Sequence, residues 1–327
     1  MTQSTARTRN PLDVVAIDMR AVDAVIAQRL TSGVPLVGQV AQYIVSSGGK
    51  RLRPALLLLV TGALGFVGPQ RHILAAVVEF IHTATLLHDD VVDESVLRRG
   101  RPTANETFGN PASVLVGDFL YSRAFQMMVE ARSMRIMEVL ADATNVIAEG
   151  EVMQLMNMHN ADLSEDDYVQ VIRSKTAKLF EASARVGALL ADAPPAVEQA
   201  CAAYGQALGT AFQIVDDVLD YTGDTAVMGK NLGDDLREGK TTLPLIAAMQ
   251  RGTPAQCSLV RQAIAEGDLN LIDTVVDIVR QTGALDVSRA AAAAQAELAL
   301  AAARVLPDNA YTRCLLQLAT DLLTRQS

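Results

Sequence analysis

Tryptophan is absent from the 327-residue sequence, and all aromatics together make up only 4% of it. Alanine and leucine supply most of the apolar half of the chain instead, a composition that disfavours strands and favours helices. Cysteine is scarce: Cys201, Cys257 and Cys314 lie far apart, odd in number and without a CxxC pair. That excludes a disulfide framework and a Cys-rich zinc site, and fits reduced, buried thiols of a cytoplasmic protein. Positive charge is in deficit, with 28 Lys and Arg against 37 Asp and Glu and a net charge of −9. A chain this acidic is a poor candidate for nonspecific binding to nucleic acid or an anionic membrane. Long apolar runs are missing too. The longest, at 55–67 and 200–215, are short or broken by Gly and Gln, so no stable membrane insertion is expected. The first fifteen residues have no apolar core of a secretory signal, and Asp13 and Asp18 argue against the transit peptide that their Arg and Thr faintly suggest.

What remains is helical periodicity along almost the whole chain. Breaks fall at 33–35, 48–49, 68–69, 99–102, 109–111, 194–195, 221–229, 252–254, 267–268 and 307–309, where Gly, Pro, Asn and Asp gather. Between them the pattern predicts roughly a dozen helices of about 12 to 30 residues. Ser164 with Asp167 three residues on resembles a capping box, with Asp in place of Glu. The Ala-rich stretch 289–305 reads as a closely packed helix. No long polar linker marks a boundary, so the expectation is one all-α domain over 1–327, with 1–10 a flexible tail. Helices over 114–131 and 199–219 have little polar surface and need helices all round them, or a protein partner.

The sharpest feature occurs twice: DDVVD at 89–93 and DDVLD at 216–220. Residues four apart share a helix face, so Asp89 pairs with Asp93, and Asp216 with Asp220. Paired carboxylates after an apolar run repel one another, and a hard divalent cation removes that repulsion. Mg²⁺ takes a few carboxylate oxygens, keeps several waters and recruits phosphate oxygens for the rest. Four basic clusters complement them: GGKRLRP at 48–54, Arg98-Arg99, Lys175-Thr176, and the run from Lys230 to Lys240-Thr241. Guanidinium groups hold two phosphate oxygens at once and lysine acts as a mobile point charge. Any one cluster alone reads as a solvated surface; acidic metal sites beside cationic clamps in an acidic protein read as a diphosphate site.

Other motifs fail. Gly239-Lys240-Thr241 ends like a P-loop, but Asp234 occupies the leading glycine position and no strand precedes it. Glu79-x-x-His82 has the spacing of a di-iron bundle without the second copy. His82 and His88 fall on different helix faces, which argues against a shared zinc.

Together, GGKRLRP, HDDVVDES…RRGRPTAN at 88–105, Lys175-Thr176, FQIVDDVLD at 212–220 and GKNLGDDLREGKTTLP at 229–244 resemble the trans-isoprenyl diphosphate synthases, or polyprenyl synthetases. The likeness spans about 48–244 and is strongest to bacterial long-chain members. It implies an antiparallel helical bundle of the isoprenoid synthase type around a central cavity, a homodimer, and Mg²⁺ as cofactor. It also implies head-to-tail addition of isopentenyl diphosphate to an allylic diphosphate such as farnesyl diphosphate. The expected product has about eight isoprene units, for a quinone side chain. By resemblance, Asp89, Asp93 and Asp216 are direct metal ligands, while Asp90, Asp217 and Asp220 hold metal-bound waters or support the others. Arg98, Lys175, Gln213 and Lys230, with Lys240 nearby, bind the allylic diphosphate. Lys50, Arg53, His82 and Arg99 bind isopentenyl diphosphate, and Thr176 lines the carbocation site. The growing tail runs along the helix before Asp89, past Thr85, Ala84 and Ile81. In short-chain members an aromatic there closes the tunnel, whereas Ala84 and Thr85 are small. Met127, Met128, Met153 and Met156 are candidate liners of a deeper floor. The rival expectations are a farnesyl or geranylgeranyl synthase, which product length separates, a cyclase or head-to-head synthase, which usually lacks an intact second DDxxD, and a non-catalytic regulatory subunit, which usually loses aspartates or clamps.

Overall fold

The architecture comes from a computed structural model and is described for residues 11–46, 48–222, 233–267 and 269–323. After a short 3-10 turn at Pro11–Val15 come α1 (Ala16–Arg29), α2 (Pro35–Ser46), α3 (Leu52–Ala63) and α4 (Gln70–Val92). These are followed by α5 (Ala104–Phe108), α6 (Asn110–Glu130), α7 (Met134–Met156), α8 (Glu165–Ile172), α9 (Lys178–Leu190) and α10 (Pro195–Thr222). Beyond a single turn at Asp234–Arg237 lie α11 (Leu243–Arg251), α12 (Pro254–Glu266), α13 (Ile272–Gln281), α14 (Ala284–Ala303) and α15 (Ala310–Leu322). The all-helical expectation holds. Short turns join most successive helices.

Packing follows apolar content. In α3 every residue from Pro54 to Thr61 is buried, because Leu and Val occupy all faces of that turn sequence and α4 and α9 enclose it. Each fully buried Leu or Val of this kind contributes about 1.5–3 kcal/mol. α10 lies between α9 and α14 and is buried continuously from Asp217 to Tyr221, which draws the second aspartate motif inside. The Ala-rich α14 packs as expected. Ser164 caps α8 by accepting from Asp167 N, and its hydroxyl donates to the Asp167 carboxylate at 2.6 Å, so the Asp replaces the reciprocal half of the box.

Two local departures from regular helix place site residues. α8 passes into α9 through a π-helical turn, Arg173–Ala177. That turn is wedged between glycines: a Cβ on Gly150 of α7 would meet Lys175 N at 2.7 Å, and one on Gly209 of α10 would meet Ala177 Cα at 2.7 Å. Glycine at both positions lets three backbones converge beside Lys175 and Thr176. The other departure is a hairpin, Leu97–Arg98 paired with Arg101–Pro102, where a helix break was expected. Arg99 and Gly100 both have positive φ, 55° and 73°, the turn chemistry of a two-residue hairpin.

The expected covering of 114–131 is incomplete. α6 buries Ala112, Val116, Leu120, Ala124, Met127 and Met128, but leaves Leu115 66% and Val129 58% exposed. No described helix is long and apolar enough to cross a membrane.

Candidate diphosphate and metal site

The first aspartate motif closes α4: Asp89 and Asp90 lie in its last turn and Asp93 caps it. Asp90 is 0% exposed and turns away from its neighbours to take Arg98 in a fork, Nε at 2.9 Å and Nη2 at 2.6 Å. Burial alone would lower the Arg98 pKa, but the bond to Asp90 more than offsets this and raises it. The hairpin thereby fixes Arg98 beside the motif with its Nη1 still available.

Asp89 and Asp93 are each met by a lysine. Lys175 Nζ stands 3.8 Å from Asp89 and 2.6 Å from Glu151, while Lys240 Nζ stands 2.8 Å from Asp93 and 2.6 Å from Glu238. Burial, opposed by Lys175 and reinforced by Asp93, raises the Asp89 pKa. Burial would depress the Lys240 ammonium, but Glu238 and Asp93 outweigh it and hold the proton tightly. Asp89, whose ionised form is disfavoured by burial and by Asp93, is a carboxylate that added positive charge would stabilise. The hard oxygen donors of the pair fit a hard divalent cation. Among the described residues, no three His, Cys, Asp or Glu side chains close into a protein-only cage. An ion here would draw part of its coordination from water and phosphate.

The same two lysine-bearing segments reach the second motif. Next to Lys175, the Thr176 hydroxyl donates to Gln213 Oε1 at 3.0 Å, and Gln213 Nε2 donates to Asp217 at 2.7 Å. Tyr168 donates its hydroxyl to the other Asp217 oxygen at 2.6 Å. Burial and Asp235 raise the Asp217 pKa, and these two donors oppose the rise. Beside Lys240, whose N–H donates to Asp235 O at 2.8 Å, Asp235 N donates to the Asp220 carboxylate at 3.2 Å. Asp89 and Asp93 are thus linked to Asp217 and Asp220 through two short bridges, and both motifs border one site. Asp216 is half-buried on the same turn.

The basic cradle forms around the start of α3. Lys50 is exposed and precedes the helix, and Arg51 is its N-cap with φ 48°. Of the basic residues in this segment only Arg53 is inside the helix. Arg53 lies 4.4 Å over the Phe180 ring and donates to His82 Nε2 at 3.3 Å. Burial, then the neighbouring Arg53 and Arg98, push His82 well below its ordinary pKa, so it stays neutral and accepts. Arg99 reaches in from the hairpin and lies against Gly49.

The expected tunnel residues sit below the first motif. Ile81, Ala84, Met127 and Met128 are fully buried, and Thr85 is half-buried with its hydroxyl on His82 O. Met153 is half-buried, but Met156 is 78% exposed at the end of α7 and lines no interior within one protomer. Lys230 lies outside the described residues. Gln213 has two internal partners, which leaves one N–H for a ligand. Glu151 and Tyr168 belong to none of the motifs that sequence reasoning assigns to the site, and Asp235 and Glu238 lie within 229–244 without a role assigned to them; only the tertiary fold brings the four to the aspartates and lysines.

A model of the polyprenyl synthetase family matches residues 34–281. Over 308 residues, 94% of this chain and 95% of the relative, the sequence is 51% identical to octaprenyl diphosphate synthase of Escherichia coli K12. It is 46% identical, over 95% of this chain and 96% of the relative, to an all-trans-nonaprenyl-diphosphate synthase (geranyl-diphosphate specific) of Rhodobacter capsulatus. The fold matches a polyprenyl synthase from Caulobacter crescentus CB15 complexed with calcium and isoprenyl diphosphate, with TM-score 0.94, 42% identity and full coverage of both chains (100% each). It also matches a decaprenyl diphosphate synthase from Rhodobacter capsulatus with TM-score 0.92 and 46% identity, over 97% of this chain and 98% of that one.

Proposed function

The chain belongs to the polyprenyl synthetase family and is a prenyltransferase that adds isopentenyl diphosphate head-to-tail to an allylic diphosphate, and we propose that it requires Mg²⁺ and makes a product of octaprenyl length. The observation that carries the site assignment is the pair of lysine bridges, Lys175 from Asp89 and Lys240 from Asp93, each continuing to the second aspartate motif. Such a site combines carboxylates for metal with cations for a departing diphosphate. Asp89, Asp93, Asp216 and Asp220 would hold the metal, which supplies Lewis-acid stabilisation of the leaving diphosphate's charge. Arg98, fixed by Asp90, offers Nη1 to that diphosphate, and Lys175 and Lys240 add point charges to it. Thr176 lies beside the carbon that becomes cationic, and Lys50, Arg53, His82 and Arg99 hold isopentenyl diphosphate. The departing diphosphate accepts the proton, so no side chain is assigned as general base.

Support for the length comes from the octaprenyl, nonaprenyl and decaprenyl diphosphate synthases named above, and from small residues at Ala84 and Thr85. At about 1.5 Å per residue the 23-residue helices α4 and α7 are each about 35 Å long. An isoprene unit spans roughly 5 Å, from four main-chain bonds of about 1.5 Å, one of them double, in zigzag, so eight units need about 40 Å. The exposed apolar stripe of α6 and the neighbouring α7 residues Met134, Val152 and Leu155 are assigned as a homodimer interface, since a helix this apolar needs a partner.

Incubation of the purified protein with Mg²⁺, labelled isopentenyl diphosphate and farnesyl diphosphate, followed by sizing of the prenyl chain, tests this reading. A product centred on eight units is expected, and one that stops at four would exclude the long-chain assignment.

A further inference from the structure

The isopentenyl diphosphate cradle gathers more cations than its ligand needs. Arg51, Arg53, Arg98 and Arg99 all press on His82, and Lys50, exposed, precedes Arg51 in the chain. Beneath them lies one acid, Glu79, on α4 one turn before His82 and only 9% exposed. Its Oε1 is 3.3 Å from Arg51 Nε, while its Oε2 is buried without a hydrogen-bond partner. Arg51 is held on its other side by Asp23 of α1, 3.6 Å from Nη1. Burial raises the Glu79 pKa, and Arg51, Arg53 and Arg99 each oppose that rise, so all three guanidiniums lie within electrostatic reach. Buried Arg53 Nε likewise has no hydrogen-bond partner. Arg99 lies directly against Gly49, where a Cβ would meet its Nη1 at 2.8 Å. Guanidiniums crowded this closely repel, and nothing in α3 alone would hold Arg51 at its left-handed φ of 48°.

We propose that Glu79 is the resident counter-ion of this cradle, a positioning residue that pins Arg51 and the 48–54 segment to α4 so that Lys50, Arg53 and Arg99 converge on the incoming diphosphate. The inference rests on the cradle being the isopentenyl diphosphate site. It reverses the naive expectation: removing a buried negative charge beside an anion site should strengthen anion binding, whereas losing the pin weakens it. It also confines the effect to one substrate, since the allylic clamps Arg98, Lys175 and Lys240 have their own carboxylate partners.

The test is steady-state kinetics of Glu79→Gln, Glu79→Asp and Arg51→Gln, with each diphosphate varied in turn. Expected for Glu79→Gln is a rise of about tenfold or more in KM for isopentenyl diphosphate, with KM for the allylic substrate within about twofold. Glu79→Asp should recover part of the loss. Arg51→Gln should reproduce it, and the double variant Glu79→Gln/Arg51→Gln should be no worse than the worse single, because the two act as one contact. An unchanged or lower KM for isopentenyl diphosphate, or equal losses for both substrates, overturns the proposal. If Glu79→Gln does not fold, Arg51→Gln and Glu79→Asp decide the question by the same criteria. Lys50→Ala separates the premises: if it leaves KM for isopentenyl diphosphate unchanged, the cradle assignment itself fails, whereas an effect of Lys50→Ala without one of Glu79→Gln sinks only the counter-ion.

Discussion

Replacing Ala84 with Tyr puts the assigned path of the growing chain at risk. Ala84 is five residues before Asp89 on α4, and a rise of about 1.5 Å per residue sets it about 7.5 Å along the axis from the metal-binding end. At roughly 5 Å per isoprene unit, that depth is reached within two units of the diphosphate, against about 40 Å for the full product. A phenol ring there should therefore stop growth within the first two or three units, far short of eight. Ala84 is 0% exposed, so the substitution also reads out what surrounds it. If the side chain borders a path that prenyl carbons can occupy, the ring enters it with little loss of stability. If it meets packed protein, overpacking costs about 1–3 kcal/mol and product length does not change. The assay is chromatographic sizing of products made from geranyl and farnesyl primers, so that a three-unit chain can still form, beside a urea denaturation curve. A folded variant that still makes wild-type chains would refute the path.

Other substitutions test the remaining contacts. Asp90→Ala strips the partner from Arg98; because Arg98 keeps a quarter of its side chain solvated, the loss should be about 2–3 kcal/mol rather than the upper range for buried pairs, with a higher KM for the allylic substrate. Coincident urea midpoints for the variant and wild type would contradict it. Burial, with Asp89 adding and Lys175 opposing, raises Glu151 from 4.5 to about 7. A carboxyl raised on folding contributes its stability at low pH and loses it as pH climbs through the folded value. Measured without added metal, wild type should therefore lose stability relative to Glu151→Gln between pH 4.5 and about 7, and a pH-independent difference would be incompatible with that shift. Leu115→Asp with Val129→Asp should convert a dimer to monomer in light scattering, and a wild-type mass would remove α6 from the interface.

Much of this was legible in the sequence because it is local. Helical periodicity gave the fold class, and the spacing of Asp89 with Asp93 and of Asp216 with Asp220 gave the carboxylate pairs, since both depend on neighbours a turn away. What stayed hidden depends on approach between distant segments. Lys240 and Asp93 are 147 positions apart, and Tyr168 and Asp217 are 49 apart. Glu79 could be read only as half of an absent iron motif, because its partners arrive from the start of α3 and the hairpin. Lys50 lies outside α3 because a left-handed residue at position 51 delays the helix, and Arg does not advertise that conformation. The π-helical turn at Lys175 arises from two glycines on other helices, which no reading of 173–177 alone reveals.

The hairpin at 97–102 has one further consequence. Arg98 folds back onto Asp90, while its immediate neighbour Arg99 reaches the opposite way to Gly49. On the assignment above, the two substrates are gripped by adjacent residues whose Cα atoms are about 3.8 Å apart. A single peptide thus works as a caliper between donor and acceptor, keeping their gap constant through every round of elongation while everything beyond the reacting carbons changes length.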